Sequence, residues 1–210
     1  MRKPESDLTR IAARLASILG PEHCVLVGAL AVAVHGYPRA TDHVDVLTSL
    51  DLKEARKRLA AHGVETVLRR GDVLEGDFPC LQGVLDGVRF DVLPQLVTIQ
   101  WDDAVSLPMD GTVLRVVDLD GLIRLKLRAG GPQDLMDAAH LLLQHPDRIG
   151  RARDAARRYH LEEKLDIWLD DPRTRSQVEE ALRERGEEGL KILKQLATTL
   201  PKPSARPRKS

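Results

Sequence analysis

The sequence predicts an α+β fold, a small mixed β-sheet with its helices followed by a helical C-terminal region. Three observations carry this. Short apolar runs alternate with amphipathic stretches up to about residue 117. Asp86-Gly87 stands between two apolar runs, the strongest short-range hairpin signal in the chain. Beyond Gly130-Gly131-Pro132 every segment has helical periodicity. The expected organisation is an α/β domain over 1–130, a helical region over 131–200 and a disordered basic tail over 201–210.

The elements follow in order. Leu8, Ile11, Leu15 and Ile18 recur at helical spacing over 6–19, and Gly20-Pro21 ends that helix. Cys24 to Val27 reads as a buried strand ending at Gly28, and Ala29 to Val34 as a short helix of small residues stopped by His35-Gly36. Val44 and Val46 mark a second strand, Asp51 to His62 a charged amphipathic helix, and Val64 to Leu68 a third strand. The hairpin pairs Cys80–Leu85 with Val88–Leu93. Thr98 to Ser106 reads as a short helix, Thr112 to Val117 as a strand, and Asp118 as the cap of a helix to about Ala129. Helical patterns then cover Gln133–Leu143, Pro146–Tyr159, Leu161–Leu169, Ser176–Arg185 and Glu188–Leu200.

Composition narrows the function classes. Hydrophobic residues make up 42% and charged residues 30% of 210, a globular balance. Aromatics are only 3%, so the core is aliphatic and no stacking platform for single-stranded nucleic acid is expected. Lys and Arg number 32, as do Asp and Glu, so no global field draws the chain to DNA or membrane. The basic residues Lys202, Arg206, Arg208 and Lys209 lie among prolines in the tail, which reads as a solubilising end. Cys24 and Cys80 sit among apolar residues, so neither a disulfide scaffold nor a cysteine zinc site is expected. The start lacks an apolar leader and no apolar run is long enough to span a bilayer; the expectation is a cytoplasmic protein with no membrane partner.

The chemistry concentrates in Val25 to Leu47. A Gly at a strand-to-helix turn lets a phosphate approach the backbone, and acidic residues on the adjoining strand can hold a divalent metal against it. Residues two apart on a strand share a face, so His43 and Asp45 point one way and Asp42 and Val44 the other. Asp91, between Phe90 and Val92, is costly in a sheet unless exposed, paired or metal-bound. His43, Asp45 and Asp91 are thus candidate metal ligands; the alternative is a turn-capping Asp45 and a solvent-facing Asp91.

These residues resemble the nucleotidyltransferase superfamily with a polymerase-β-like fold, in particular bacterial minimal nucleotidyltransferases and the nucleotidyltransferase toxins of toxin–antitoxin and abortive-infection systems. The pattern is a Gly-Gly or Gly-Ser turn, a short helix, an Asp-x-Asp strand and a third acid on a later strand. Gly28 matches the turn; His35, Gly36, Arg39 and Thr41 match the loop; Asp45 matches the second acid and Asp91 the third. Lys126 and Asp134 fall where the family has residues near the nucleotide. The resemblance implies transfer of a nucleoside monophosphate from an NTP to an RNA (tRNA) or protein acceptor. Mg²⁺ or Mn²⁺ is the implied cofactor and a cognate antitoxin the implied partner. Asp45, Asp91 and Lys126 would be catalytic, and Gly28, Ala29, His35, Arg39, Thr41 and Asp134 would hold nucleotide.

Two positions depart from the pattern. Ala29 lacks the hydroxyl of a Ser, and His43 replaces the first metal-binding Asp. Mg²⁺ prefers hard oxygen ligands, whereas imidazole suits Mn²⁺ or Zn²⁺. Three readings stand: His43 ligates a softer metal, Asp45 and Asp91 keep a single ion, or the domain is a catalytically inactive module that binds a partner or nucleotide. Elsewhere, Lys126 and Arg128 do not share a helix face, whereas Asp134 and Asp137 do. His140 and His145 read as helix-surface residues, and Arg151, Arg153, Arg157 and Arg158 as a solvated basic face.

Overall fold

The computed structural model describes residues 7–71, 78–95, 101, 104–109 and 112–200. The chain divides into two units, Met1–Leu122 and Ile123–Ser210. Among the described residues the first unit holds a seven-stranded mixed sheet in the order β3-β4-β5-β2-β1-β7-β6. Its strands are β1 (Cys24–Val27), β2 (His43–Thr48), β3 (Thr66–Arg69), β4 (Cys80–Leu85), β5 (Val88–Pro94), β6 (Val105–Met109) and β7 (Thr112–Val116). Parallel pairing joins β2 to β5 and β1 to β7; the other neighbours are antiparallel.

Three helices of this unit pack on the sheet: α1 (Asp7–Leu19), α2 (Gly28–Val34) and α3 (Leu52–Ala61). Helix α1 buries Ile11, Leu15, Ile18 and their small neighbours, the stripe its 3.6-residue period lays down. Asp51 caps α3 by accepting from the Glu54 amide at 2.8 Å. On β2 and β5 burial alternates: Val44, Val46, Phe90 and Val92 are fully buried, while His43, Asp45, Arg89 and Asp91 lie on the opposite, more open face.

The Asp86-Gly87 turn has positive φ at both residues, 50° and 81°, as a type I′ turn requires. This sets the hairpin register, so Gly83 faces Phe90 and Gln82 faces Asp91. A Cβ on Gly83 would lie 2.6 Å from Phe90 Cζ, so the ring lies over the space that the missing side chain leaves. The turn is also tied to α1, with Asp86 accepting from Arg14 and, at 3.4 Å, from Arg10.

Helix α4 (Leu119–Ala129) begins in the first unit, capped by Asp118, which accepts from the Gly121 amide at 3.0 Å. The second unit is helical: α5 (Pro132–Gln144), a 3-10 turn (Pro146–Arg148), α6 (Ile149–Arg158), α7 (Glu162–Leu169), α8 (Pro172–Glu184) and α9 (Glu187–Thr199). Helix α5 is its centre, packing on α6, α7 and α8 and burying nine residues.

Four expectations change. Val105 and Ser106 belong to strand β6, which pairs with β7, rather than to a helix; residues 98–100 and 102–103 lie outside the described residues. The segment 146–159 divides into a 3-10 turn and α6, because Pro146 starts a tight turn before Ile149. Helix α8 begins at Pro172, ahead of Ser176, because Asp171 caps it through the Thr174 amide at 2.8 Å and proline suits the first turn. His140 is not on the surface: it is 2% exposed, its ring between the Met136 carbonyl and the Gln177 amide oxygen, both at 3.1 Å. The tail at 201–210 lies outside the described residues. No described helix is long and apolar enough to cross a membrane.

Phe90 supplies the test of this packing. Phe90→Ala leaves a cavity between the sheet and its covering helices, and the expected loss is about 3–5 kcal/mol of unfolding free energy in urea melts.

Candidate functional site

The site starts at a contact. Strand β1 ends at Val27, the register partner of Asp45 on β2. Gly28 follows with φ +66°, and a Cβ there would fall 2.0 Å from Asp45 Oδ2. Only a residue without a side chain lets the chain turn into α2 while the carboxylate rests against it. Ala29, the next residue, is buried.

From this contact a row of register partners runs across four strands. Asp45 on β2 faces Asp91 on β5, Asp91 faces Gln82 on β4, and Gln82 faces Val67 on β3. Paired residues in adjacent strands point to the same face, so the two carboxylates are neighbours, one strand spacing of about 4.8 Å apart at the backbone. Gln82 Nε2 donates to Asp91 Oδ2 at 3.4 Å. Burial pushes the Asp91 carboxyl up from the ordinary range, and the nearby charge of Asp45 pushes it further.

A second row sits beside the first: His43 faces Arg89, and Arg89 faces Val84. His43 is held from both ring nitrogens. Nε2 lies 3.4 Å from Asp45 Oδ2 and Nδ1 lies 3.1 Å from Asp42 Oδ1. The hydrogen bond with Asp45, more than any other influence, lifts the imidazole to about 9. Near neutral pH His43 is therefore an imidazolium paired with Asp45. Asp42 precedes the strand, so period-two alternation does not apply to it. Its carboxylate reaches His43 and also accepts from Arg89, instead of facing away.

The loop residues have local roles. His35 Nε2 lies 2.7 Å from the Val117 carbonyl, so it is the donor and ties the end of α2 to the end of β7. Val117 N in turn donates to the Leu26 carbonyl at 3.0 Å. Thr41 Oγ1 donates to the His43 carbonyl at 3.3 Å, and Arg39 donates to the Ala40 carbonyl at 3.3 Å. These contacts order the loop between α2 and β2.

Lys126, Asp134 and Asp137 are in the second unit. Lys126 Nζ, on a side chain 9% exposed, lies 2.8 Å from Asp134 and 2.9 Å from Asp137, whose side chain is fully buried. Gln133 adds a hydrogen bond to Asp137 at 2.9 Å. The shared face of Asp134 and Asp137 thus engages a lysine. Arg153 and Arg157 pair with Asp166, Asp154 and Glu162, so the basic face of α6 is answered by acids.

Among the described residues no three His, Cys, Asp or Glu side chains form a ready-made metal cage. The donor chemistry of two carboxylates and an imidazole fits Mn²⁺ better than Mg²⁺, and a metal must displace the proton on His43. Sequence reasoning did not single out Gln82 or the Arg89–Asp42 pair. Gln82 was legible: counting outward from the Asp86-Gly87 turn sets it opposite Asp91.

No family model and no curated protein matches the chain. Several solved structures are similar in fold. A Thermotoga maritima protein assigned as a nucleotidyltransferase is 17% identical, with 62% of this chain and 88% of that one covered and a TM-score of 0.48. An antigenic nucleotidyltransferase-like protein from Paracoccidioides brasiliensis is 16% identical, covering 93% and 89%, at 0.42. A tRNA nucleotidyltransferase in complex with a primer tRNA and an incoming ATP analogue is 14% identical, covering 90% and 60%, at 0.38. At these identities and scores, what the site does is argued from this chain's own residues.

The His43 pair gives a measurable sign. The folded-state value of about 9 lies above the ordinary 6.5, so the pair's contribution to stability is fully present below about pH 6.5 and is lost as pH rises through about 9. In metal-free protein the His43 ring resonances are expected to titrate near pH 9, and Asp45→Ala should bring that midpoint down toward the ordinary value. A native midpoint at or below 6.5 contradicts the pair.

Proposed function

We propose that the chain is a nucleotidyltransferase, transferring a nucleoside monophosphate from an NTP to a hydroxyl and releasing pyrophosphate. The observation that supports this most is the placement of Asp45 and Asp91 as register partners beside the Gly28 turn. Two adjacent carboxylates able to share a divalent cation are what metal-assisted in-line displacement at phosphorus draws on.

In this reading the Gly28 backbone receives the triphosphate. Asp45 and Asp91, with His43 once deprotonated, would hold Mn²⁺ or Mg²⁺, which supplies positive charge at the phosphoryl oxygens. Asp91, on the side of the pair remote from Gly28, would take the proton of the attacking hydroxyl. The hydroxyl oxygen bonds to the α-phosphorus, the bond to the bridging oxygen breaks, and pyrophosphate leaves with the electron pair. His35 keeps the turn in place through the Val117 carbonyl. Lys126, engaged with Asp134 and Asp137, would orient α4 and α5. In this reading the acceptor hydroxyl belongs to an RNA, such as a tRNA, or to a protein, and an antitoxin-like partner belongs to its toxin form.

A second reading is favoured by the His43–Asp45 pair. An imidazolium already compensates the carboxylate that a metal would neutralise, so activity would be impaired or absent and the fold would serve nucleotide or partner binding.

Calorimetry and label transfer separate the readings. The native chain is expected to bind NTP with Mn²⁺ more tightly at pH 9 than at pH 6, and Asp45→Ala to remove binding. Transfer from α-labelled NTP by the native chain supports the first reading. Transfer only after His43→Asp supports the second. No NTP binding with either metal contradicts both nucleotide readings.

A further inference from the structure

Beyond the Asp45–Asp91 pair the row continues away from Gly28, to Gln82 and Val67. This side of the sheet forms an open groove of ≈ 950 Å³ whose lining includes His43, Val67, Gln82, Val84, Arg89 and Asp91. Two of these residues are unusual for a sheet face: Val67 is 71% and Val84 is 57% exposed. Both adjoin Gln82: Val67 is its register partner on β3, and Val84 lies two residues along β4 on the same face. One valine lies across the strand pair and the other along β4, so the amide sits at the corner of an exposed apolar surface and offers a hydrogen-bonding point at its edge.

We infer that this platform is the acceptor subsite and that Val67, Gln82 and Val84 select a nucleoside unit there. The inference rests on the transferase reading above and adds to it the identity of the second substrate. Position supplies the first argument. The strand order sets Gln82 and Val67 on the side of Asp91 remote from the Gly28 turn, so a ligand on them is the substrate whose hydroxyl meets Asp91. Size supplies the second. Val67 is two strand spacings from Asp91, about 10 Å, the reach of a base with its ribose. Charge supplies the third. Arg89, the permanent cation of the lining, is paired with the Asp42 carboxylate, and Gln82, Val67 and Val84 carry no charge. The groove is thus suited to an uncharged ring system rather than a run of phosphates. The base lies on the valines with its edge toward the Gln82 amide, a pairing that side-chain amides make with base edges. The ribose hydroxyl then reaches Asp91, and transfer proceeds by the bond changes already given, with the NTP as donor.

The test is an NMR titration of the isotope-labelled full chain with adenosine, and separately with ATP and with a serine-containing peptide. Adenosine is expected to shift the Val67, Gln82 and Val84 amides and the Gln82 side-chain amide. Its affinity should fall about tenfold in Gln82→Ala, the loss of one good hydrogen bond to a base, and also in Val84→Lys, with circular dichroism and melting showing both variants folded. Adenosine shifts centred on Gly28, affinity unchanged in both variants, or groove shifts with the peptide alone overturn the inference. ATP shifting Gly28 while adenosine leaves Gln82 unmoved overturns it and leaves the transferase reading standing. Adenosine bound at Gln82 with ATP silent at Gly28 overturns the acceptor role together with the transferase reading.

Discussion

The contact between the Asp45 carboxylate and the bare Cα of Gly28 is the constraint on which the rest of the site depends. A Cβ at Gly28 would fall 2.0 Å from Asp45 Oδ2, and the backbone there has a φ of +66° that L side chains rarely adopt. Both facts demand glycine. Together they bring the β1–α2 turn against Asp45. Parallel pairing of β2 with β5 then sets Asp91 beside Asp45, and the type I′ turn sets Gln82 opposite Asp91. One steric condition and two registers therefore define a polar row that begins at the turn and ends at the sheet edge.

Charge sets how the polar groups along that row are compensated. A pair of adjacent carboxylates on a half-buried face repel one another and favour proton or metal uptake. Here His43 supplies the compensating charge from within, held by Asp45 on one nitrogen and Asp42 on the other. Any metal competes with that proton, so occupancy becomes a function of pH as well as of concentration. The same pairing logic recurs in the second unit, where Lys126 lies between Asp134 and a fully buried Asp137. A buried carboxylate left without its lysine is strongly destabilising, which makes this cluster a structural feature of α4 and α5 in its own right.

Much of this was legible in the sequence for definite reasons. The Gly28 turn, the alternation of Val44 and Val46 with His43 and Asp45, and the Asp86-Gly87 hairpin are local signals, and each depends on a short period or a turn requirement. Strand β6 was not legible, because Val105 to Met109 owes its conformation to pairing with β7 rather than to its own pattern. His140 was misjudged because its polarity suggested surface, whereas α5 is covered on several sides and satisfies the ring internally. The reach of Asp42 to His43 and Arg89 depends on where β2 starts, a boundary that periodicity does not resolve. The tie from His35 to the Val117 carbonyl joins residues 82 apart in sequence, beyond the range of any local rule.

The central claim is that Gly28, Asp45 and Asp91 form one nucleotide–metal centre. Paramagnetic broadening by Mn²⁺ with a non-hydrolysable NTP analogue, read residue by residue in the isotope-labelled chain at pH 9, tests it most directly. The account expects the strongest broadening at Gly28, His43, Asp45 and Asp91, with a gradient falling along the row toward Val67. Broadening centred on any other part of the chain, or none that requires the nucleotide, would contradict it.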